Sequence, residues 1–167
     1  MSRSWYRQRM AQRAYASPVS VSGVATWSDF EAAAPELAAS VRERFEAHGH
    51  KTMATLRRDG SPRISGTETQ FEDGELWIGS MLDALKARDL QRDPRFAIHS
   101  ASEDPDVWTG DAKVAGVAEE VEVADGKSHR FRLDLREVST VELDDARKHL
   151  VITVWTPDGG VRTMKRD

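Results

Sequence analysis

Two Asp-Gly pairs, Asp59-Gly60 and Asp73-Gly74, place the tightest local constraint on this chain. Glycine accepts positive φ without steric cost, so an Asp-Gly pair between β-competent segments predicts a tight hairpin. Lys51–Arg57 is the first such segment, Pro62–Phe71 is the return strand, and Glu75–Gly79 follows the second turn. In that third strand Leu76 and Ile78 share one face and Trp77 lies on the other. Asp83 is placed to cap a helix running through Arg92. Asp93-Pro94 ends it, because the residue before proline is pushed out of the helical region. Arg95–His99 resumes strand, with Phe96 and Ile98 on one face.

Upstream, Trp27–His48 predicts helix in two segments. Ser28 and Glu31 have capping-box spacing, and Pro35 suits the first turn of a second segment after a kink. Leu37, Val41 and Phe45 recur every four residues between charged neighbours, which predicts an amphipathic helix laid on a sheet, with Gly49 as its stop. His48 and His50 lack a nearby third ligand and read as a helix-end pair, so no metal site is assigned. Downstream, Ser100–Gly110 is a polar loop suited to lining an opening, with Glu103, Asp104 and Asp106 as solvated acids. His99, at the loop's start, is a lesser candidate for a proton donor or ligand. Ala112–Val123 is a strand in which Ala115 and Gly116 admit a bulge or a close backbone. Arg130–Val138 alternates Phe131, Leu133 and Leu135 with charged residues, so one of its faces is wet. Leu150–Trp155 and Val161–Met164 form the last hairpin across Pro157-Asp158-Gly159-Gly160.

Composition sets the outer bounds. The 167 residues suit one domain, and a net charge of −4 offers nucleic acid or anionic membrane no general attraction. No run approaches the roughly 18 apolar residues that span a bilayer. Cysteine is absent, which removes disulfides and thiol chemistry. Residues 1–25 carry Arg3, Arg7, Arg9 and Arg13 and no acid, and read as a basic, flexible arm outside a domain of residues 26–167. Without an export signal, the cytoplasm is the expected location. Six or seven short strands and two helices, joined by Gly-containing turns, predict a mainly β (α+β) fold closed as a small antiparallel barrel. Glycine-rich phosphate loops and nucleophile elbows are missing, so no catalytic side chain is assigned.

The segments ATLRRDGSPRISGTETQFEDGELWIGS, LKARDLQRDPRFAIHS and VITVWTPDGG, in that order, resemble the pyridoxamine 5′-phosphate oxidase-like split β-barrels, which hold FMN or the deazaflavin coenzyme F-420. The likeness runs from about Trp27 to Arg166. It implies a split barrel with an N-terminal amphipathic helix and a short helix between strands 3 and 4. It also implies a homodimer with cofactor sites at the subunit interface, and hydride exchange with a flat conjugated small molecule. A non-enzymatic binder or sensor of a flavin, haem or related planar ligand is the alternative. Under the resemblance Arg63 reaches the cofactor phosphate or ring, and Ile64, Ser65, Gly66 and Thr67 run along the ring edge. Ser80, Met81, Lys86 and Arg88 complete the cofactor set, with Lys86 on phosphate at the helix start. Trp155 is a ring-stacking candidate, although a strand tryptophan of this kind, like Trp77, more often serves the core or an interface. Many members read Ser-Arg-Lys where this chain has Ala84-Leu85-Lys86. Two charge-assisted hydrogen bonds of roughly 1.5–3 kcal/mol each are thereby missing. Weaker FMN binding follows, leaving open a deazaflavin or no cofactor.

Overall fold

The computed structural model describes residues 23–124 and 126–167. Residues 1–22, most of the basic arm, lie outside the described residues. The described chain opens with α1 (Trp27–Ala33) and α2 (Pro35–Glu46). The capping box is Thr26 with Asp29, not Ser28 with Glu31: Thr26 Oγ1 accepts from the Asp29 amide and Asp29 Oδ2 from the Thr26 amide, both at 3.1 Å. This earlier start turns Trp27 and Phe30 into the core, and it frees Ser28 Oγ to donate to the Gly74 carbonyl at 2.5 Å. Pro35 opens α2 as expected. The helix ends at Glu46, ahead of Gly49, which keeps negative φ. Lys51 Nζ instead donates to the His48 and Gly49 carbonyls at 2.8 and 3.2 Å, placing a cation at the negative end of the helix.

The strands are β1 (Lys51–Leu56), β2 (Pro62–Thr67), β3 (Thr69–Glu72), β4 (Glu75–Met81), β5 (Arg95–His99), β6 (Asp111–Val121), β7 (Ser128–Leu143), β8 (Leu150–Thr156) and β9 (Gly160–Arg166), with α3 (Leu85–Arg92) between β4 and β5. All pairings are antiparallel, in the order β2-β1-β5-β6-β7-β4-β3, with β8 on β7 and β9 on β8. The predicted return strand is thus two strands that meet at Glu68, one pairing with β1 and the other with β4. The expected closure fails at this bend: β2 and β3 are the two ends of the hydrogen-bonded order, and only the covalent chain joins them. The fold is a mainly β split barrel with three helices. Asp83 does not cap α3. Its φ is 61° and Ala84 occupies the N-cap position without a side-chain bond.

The 16-residue β7 organises the sheet, pairing with β6 along its length, with β4 through its first turns of pleat and with β8 through its last. Its register against β6 slips at Gly116, so that Arg136 is the extra residue of a bulge. Inward residues change parity there, from Phe131, Leu133 and Leu135 to Val138 and Thr140. Gly116 is required because a Cβ on it would lie 1.8 Å from the Asp134 carbonyl oxygen. The α1–α2 pair covers one side of the sheet through aromatic contacts, Trp27 to Phe71 at 4.5 Å and Phe30 to Trp155 at 4.7 Å between ring centroids.

Gly116→Ala is expected to cost about 1–3 kcal/mol or more in urea unfolding, because backbone must move. Gly79→Ala, where a Cβ meets nothing within 4 Å, is expected to change stability by less than about 0.5 kcal/mol.

Candidate functional site

A cleft of about 750 Å³ opens where the β2–β3 bend, the end of β4, the start of α3 and the start of β7 meet. The volume falls in the range of roughly 300–1,000 Å³ usual for small-molecule sites. Lys86, Lys127 and Arg130 line it with one carboxylate, Glu68, and Arg130 is itself paired with Glu72. That local excess of positive charge lies in a chain whose net charge is −4. A second cavity, of about 400 Å³ between α2 and β7–β9, has Glu36 and Glu142 in its wall and no cation. Of these two cavities, the first has the charge that suits an anion.

Lys86 reaches back from the first turn of α3 and donates from Nζ to the Gly66 carbonyl at 2.8 Å. Burial lowers its pKa, with Glu68 acting in the opposite sense. Ser80 is 8% exposed, lines the cleft, and has a buried hydroxyl with no hydrogen-bond partner. Directly across the β4–β7 ladder from Ser80 is His129. His129 Nδ1 lies 2.6 Å from Glu120 Oε1, and Gln91 Nε2 donates to Glu120 Oε2 at 2.9 Å. Burial pushes the Glu120 carboxyl pKa up, but these hydrogen bonds outweigh it and hold the group below the usual carboxylate range.

Of the residues that the resemblance assigns to a cofactor set, Gly66, Thr67, Ser80, Met81 and Lys86 line this cleft. The other implied residues lie elsewhere. Arg63 Nε donates to Asp89 Oδ2 at 2.6 Å. Arg88 is exposed and paired with Asp83 at 2.9 Å. Ile64 is 69% exposed and Ser65 half-buried on β2, outside the cleft lining, and Trp155 is 3% exposed in the core. His99 Nδ1 meets the Ser100 carbonyl, also away from the cleft. Among the described residues no group of three or more His, Asp or Glu side chains is arranged to hold a metal ion.

His129, Glu120, Lys127 and Arg130 were not recognised in the sequence as site residues. The signal for two of them was parity: His129 has that of Phe131, and Glu120, exposed near the end of its strand, that of Val114 and Ala118, so each continues a face that is buried further along.

Asp89, 3% exposed, is the anchor that sets α3 against the barrel. Besides Arg63, it accepts from Thr55 Oγ1 at 2.9 Å and from Arg92 at 3.1 Å. Burial raises its pKa, but the bonds from Arg63, Arg92 and Thr55 prevail and lower it.

A split β-barrel with a cationic, ligand-sized cleft is the class that fold and site define. The family model for pyridoxamine 5′-phosphate oxidase matches residues 37–154, and the chain belongs to that family. Similar solved structures include PhzG of Burkholderia lata in complex with tetrahydrophenazine-1-carboxylic acid, at 12% identity, TM-score 0.58, and coverage of 77% of this chain and 85% of that one. A pyridoxamine 5′-phosphate oxidase-related, FMN-binding protein of Nostoc punctiforme gives 12% identity, TM-score 0.58 and coverage of 77% and 94%. A conserved hypothetical protein of Mycobacterium tuberculosis gives 23% identity, TM-score 0.54 and coverage of 62% and 83%. At these identities they show the shared fold. No curated protein matches the chain.

Asp89→Asn is expected to cost about 3–5 kcal/mol near neutral pH, because Arg63 loses its buried counter-charge. The native carboxyl has a depressed pKa, so its contribution is complete above the unfolded value of about 4 and drains as pH falls below it. Urea unfolding across that range should show a steep loss for the wild type and a flatter profile for the variant.

Proposed function

We propose that this protein is a cytoplasmic, homodimeric flavin- or deazaflavin-dependent oxidoreductase that passes hydride to or from a flat, conjugated small molecule. The observation that carries the proposal is the placement of Lys86, hydrogen-bonded to the neutral Gly66 carbonyl, in one cleft with Lys127 and an unpartnered Ser80 hydroxyl. A cofactor phosphate suits the cations, and Ser80 Oγ offers a hydrogen bond that nothing in the protein takes. A Cβ on Gly66 would meet nothing within 4 Å, so the wall there leaves room for a ring. Bound there, the cofactor supplies the hydride chemistry. The chain binds it, orients the substrate and excludes water. An incoming phosphate replaces the Gly66 carbonyl as the partner of Lys86, trading a neutral acceptor for an anion and favouring the charged lysine.

Exposed apolar side chains support the dimer. Met81, Leu82 and Leu85 are 80%, 54% and 56% exposed along the β4–α3 turn, at the rim of the cleft. A second copy seated on this rim covers the apolar surface and deepens the cleft. No helix of the described residues is long and apolar enough to cross a membrane.

Titration of the purified protein with FMN and with coenzyme F-420 is expected to give saturable binding. Lys86→Ala should weaken it about ten- to hundredfold, the worth of one charge-assisted hydrogen bond. Failure of both cofactors to bind, or a Lys86→Ala curve superimposable on the wild type, overturns the proposal.

A further inference from the structure

The imidazole of His129 is built into the cleft wall with a polar group of the protein at each ring nitrogen. Its side chain is 14% exposed and Nδ1 faces the carboxylate of Glu120 at 2.6 Å. A carboxylate can only accept, so Nδ1 carries the proton and donates it. At the other side of the ring, the Asp83 amide lies 3.4 Å from Nε2, which leaves Nε2 as the acceptor of a neutral imidazole. Gln91 Nε2 holds both Glu120 oxygens, at 2.9 and 3.2 Å, so the carboxylate is itself fixed. The unpartnered Ser80 hydroxyl is the cross-strand neighbour.

We propose that His129 is the proton-handling group of this cleft, with Glu120 and Gln91 as positioning residues that fix its tautomer. The inference rests on the oxidoreductase reading above and adds to it a second, protonic half. When a reduced flavin or deazaflavin is the hydride source, the hydride brings one proton and two electrons to a carbon of the conjugated substrate. The π pair moves along the conjugation to a terminal oxygen or nitrogen, and that atom takes a proton from Nε2 of the imidazolium, leaving neutral His129. In the imidazolium form the 3.4 Å contact with the Asp83 amide is given up, and neutral His129 accepts from that amide again. In the oxidising direction the same O–H or N–H bond breaks toward Nε2 as hydride departs. Glu120 remains a carboxylate throughout. The other charged groups of the cleft lining are Lys127 just before β7, Arg130 on β7, Lys86 on α3 and Glu68 at the β2–β3 bend, and the Asp83 backbone meets the ring from the turn before α3.

Heteronuclear NMR of the histidine-labelled protein should show His129 protonated on Nδ1, and Glu120→Gln should convert this to a mixture of tautomers. In cofactor-loaded protein turning over a panel of quinones and enones, His129→Gln should bind cofactor within about threefold of the wild type. It should lose about a hundredfold or more in kcat and lose the wild-type pH dependence. His129→Asn serves if glutamine disturbs the fold. An Nε2-protonated ring in the wild type, or wild-type turnover by both variants at every pH, overturns the proposal. So does a haem Soret band that His129→Gln abolishes, since Nε2 would then be an iron ligand. A protein that binds no flavin or deazaflavin overturns the oxidoreductase reading and the proton-transfer role with it, while the tautomer spectrum still decides where the ring proton sits.

Discussion

The cleft depends on one buried carboxylate. Asp89 projects from the middle of α3 into hydrogen bonds with Thr55 on β1 and Arg63 on β2, and Arg92 closes the set from the next turn. An isolated charge in that position would be prohibitively costly, and it persists because every oxygen is used. The helix is only eight residues long and has no side-chain N-cap, so its own propensity cannot hold it in place. Fixing α3 at Asp89 fixes both ends of the cleft: one turn before it, Lys86 reaches the Gly66 carbonyl, and just after it, Gln91 reaches Glu120. Arg63, which the resemblance assigns to the cofactor phosphate or ring, is bound to Asp89 and secures the helix that carries Lys86.

Much of the barrel was legible because its turns are written in residues with few conformational choices. Asp59-Gly60 and Asp73-Gly74 fixed the first two hairpins, with Gly60 and Gly74 at φ of 83° and 76°. The small residues at Ala115-Gly116 announced the bulge, which the close Asp134 carbonyl makes obligatory. The break at Glu68 was not legible, because TETQF continues a β-competent run and the bend follows from the need of β3 to reach β4. Helix capping went wrong for a related reason: Thr26–Asp29 and Ser28–Glu31 have the same spacing, and only the burial of Trp27 decides between them. Asp83 fails as a cap because the turn after β4 puts it at positive φ.

The site residues missed in the sequence lie at strand ends. The third strand was expected to stop at Gly79 and runs to Met81, and the strand starting at Arg130 in fact begins at Ser128. His129, which was missed, and Ser80, which the family resemblance implies but the strand pattern does not reach, fall in those extensions and pair directly with each other. Alternation is read from apolar residues, so it ends where a strand turns polar. That is where an inward-facing position stops serving the core and lines the cleft. The same side of the β6–β7 ladder explains Glu120: Ala118 is buried, Glu120 continues its face, and the apolar pattern gives out just as the barrel opens.

Charge distribution gives the cleft its preference where total charge does not. The chain is acidic overall, and many of its acids are already matched, Glu72 with Arg130, Glu119 and Asp134 with Arg132, and Glu142 with Arg44. Long-range attraction for anions is accordingly weak, and at physiological salt it is screened within about 8 Å. Lys86 differs from the paired cations in that its nearest partner is a neutral carbonyl and its surroundings are partly desolvated. Desolvation costs a lone ammonium stability, and the same low-polarity surroundings strengthen its attraction to an anion that enters. A partly desolvated cation of this kind favours negative charge at short range, and the Ser80 hydroxyl in the same cleft is a directional hydrogen-bonding group beside it.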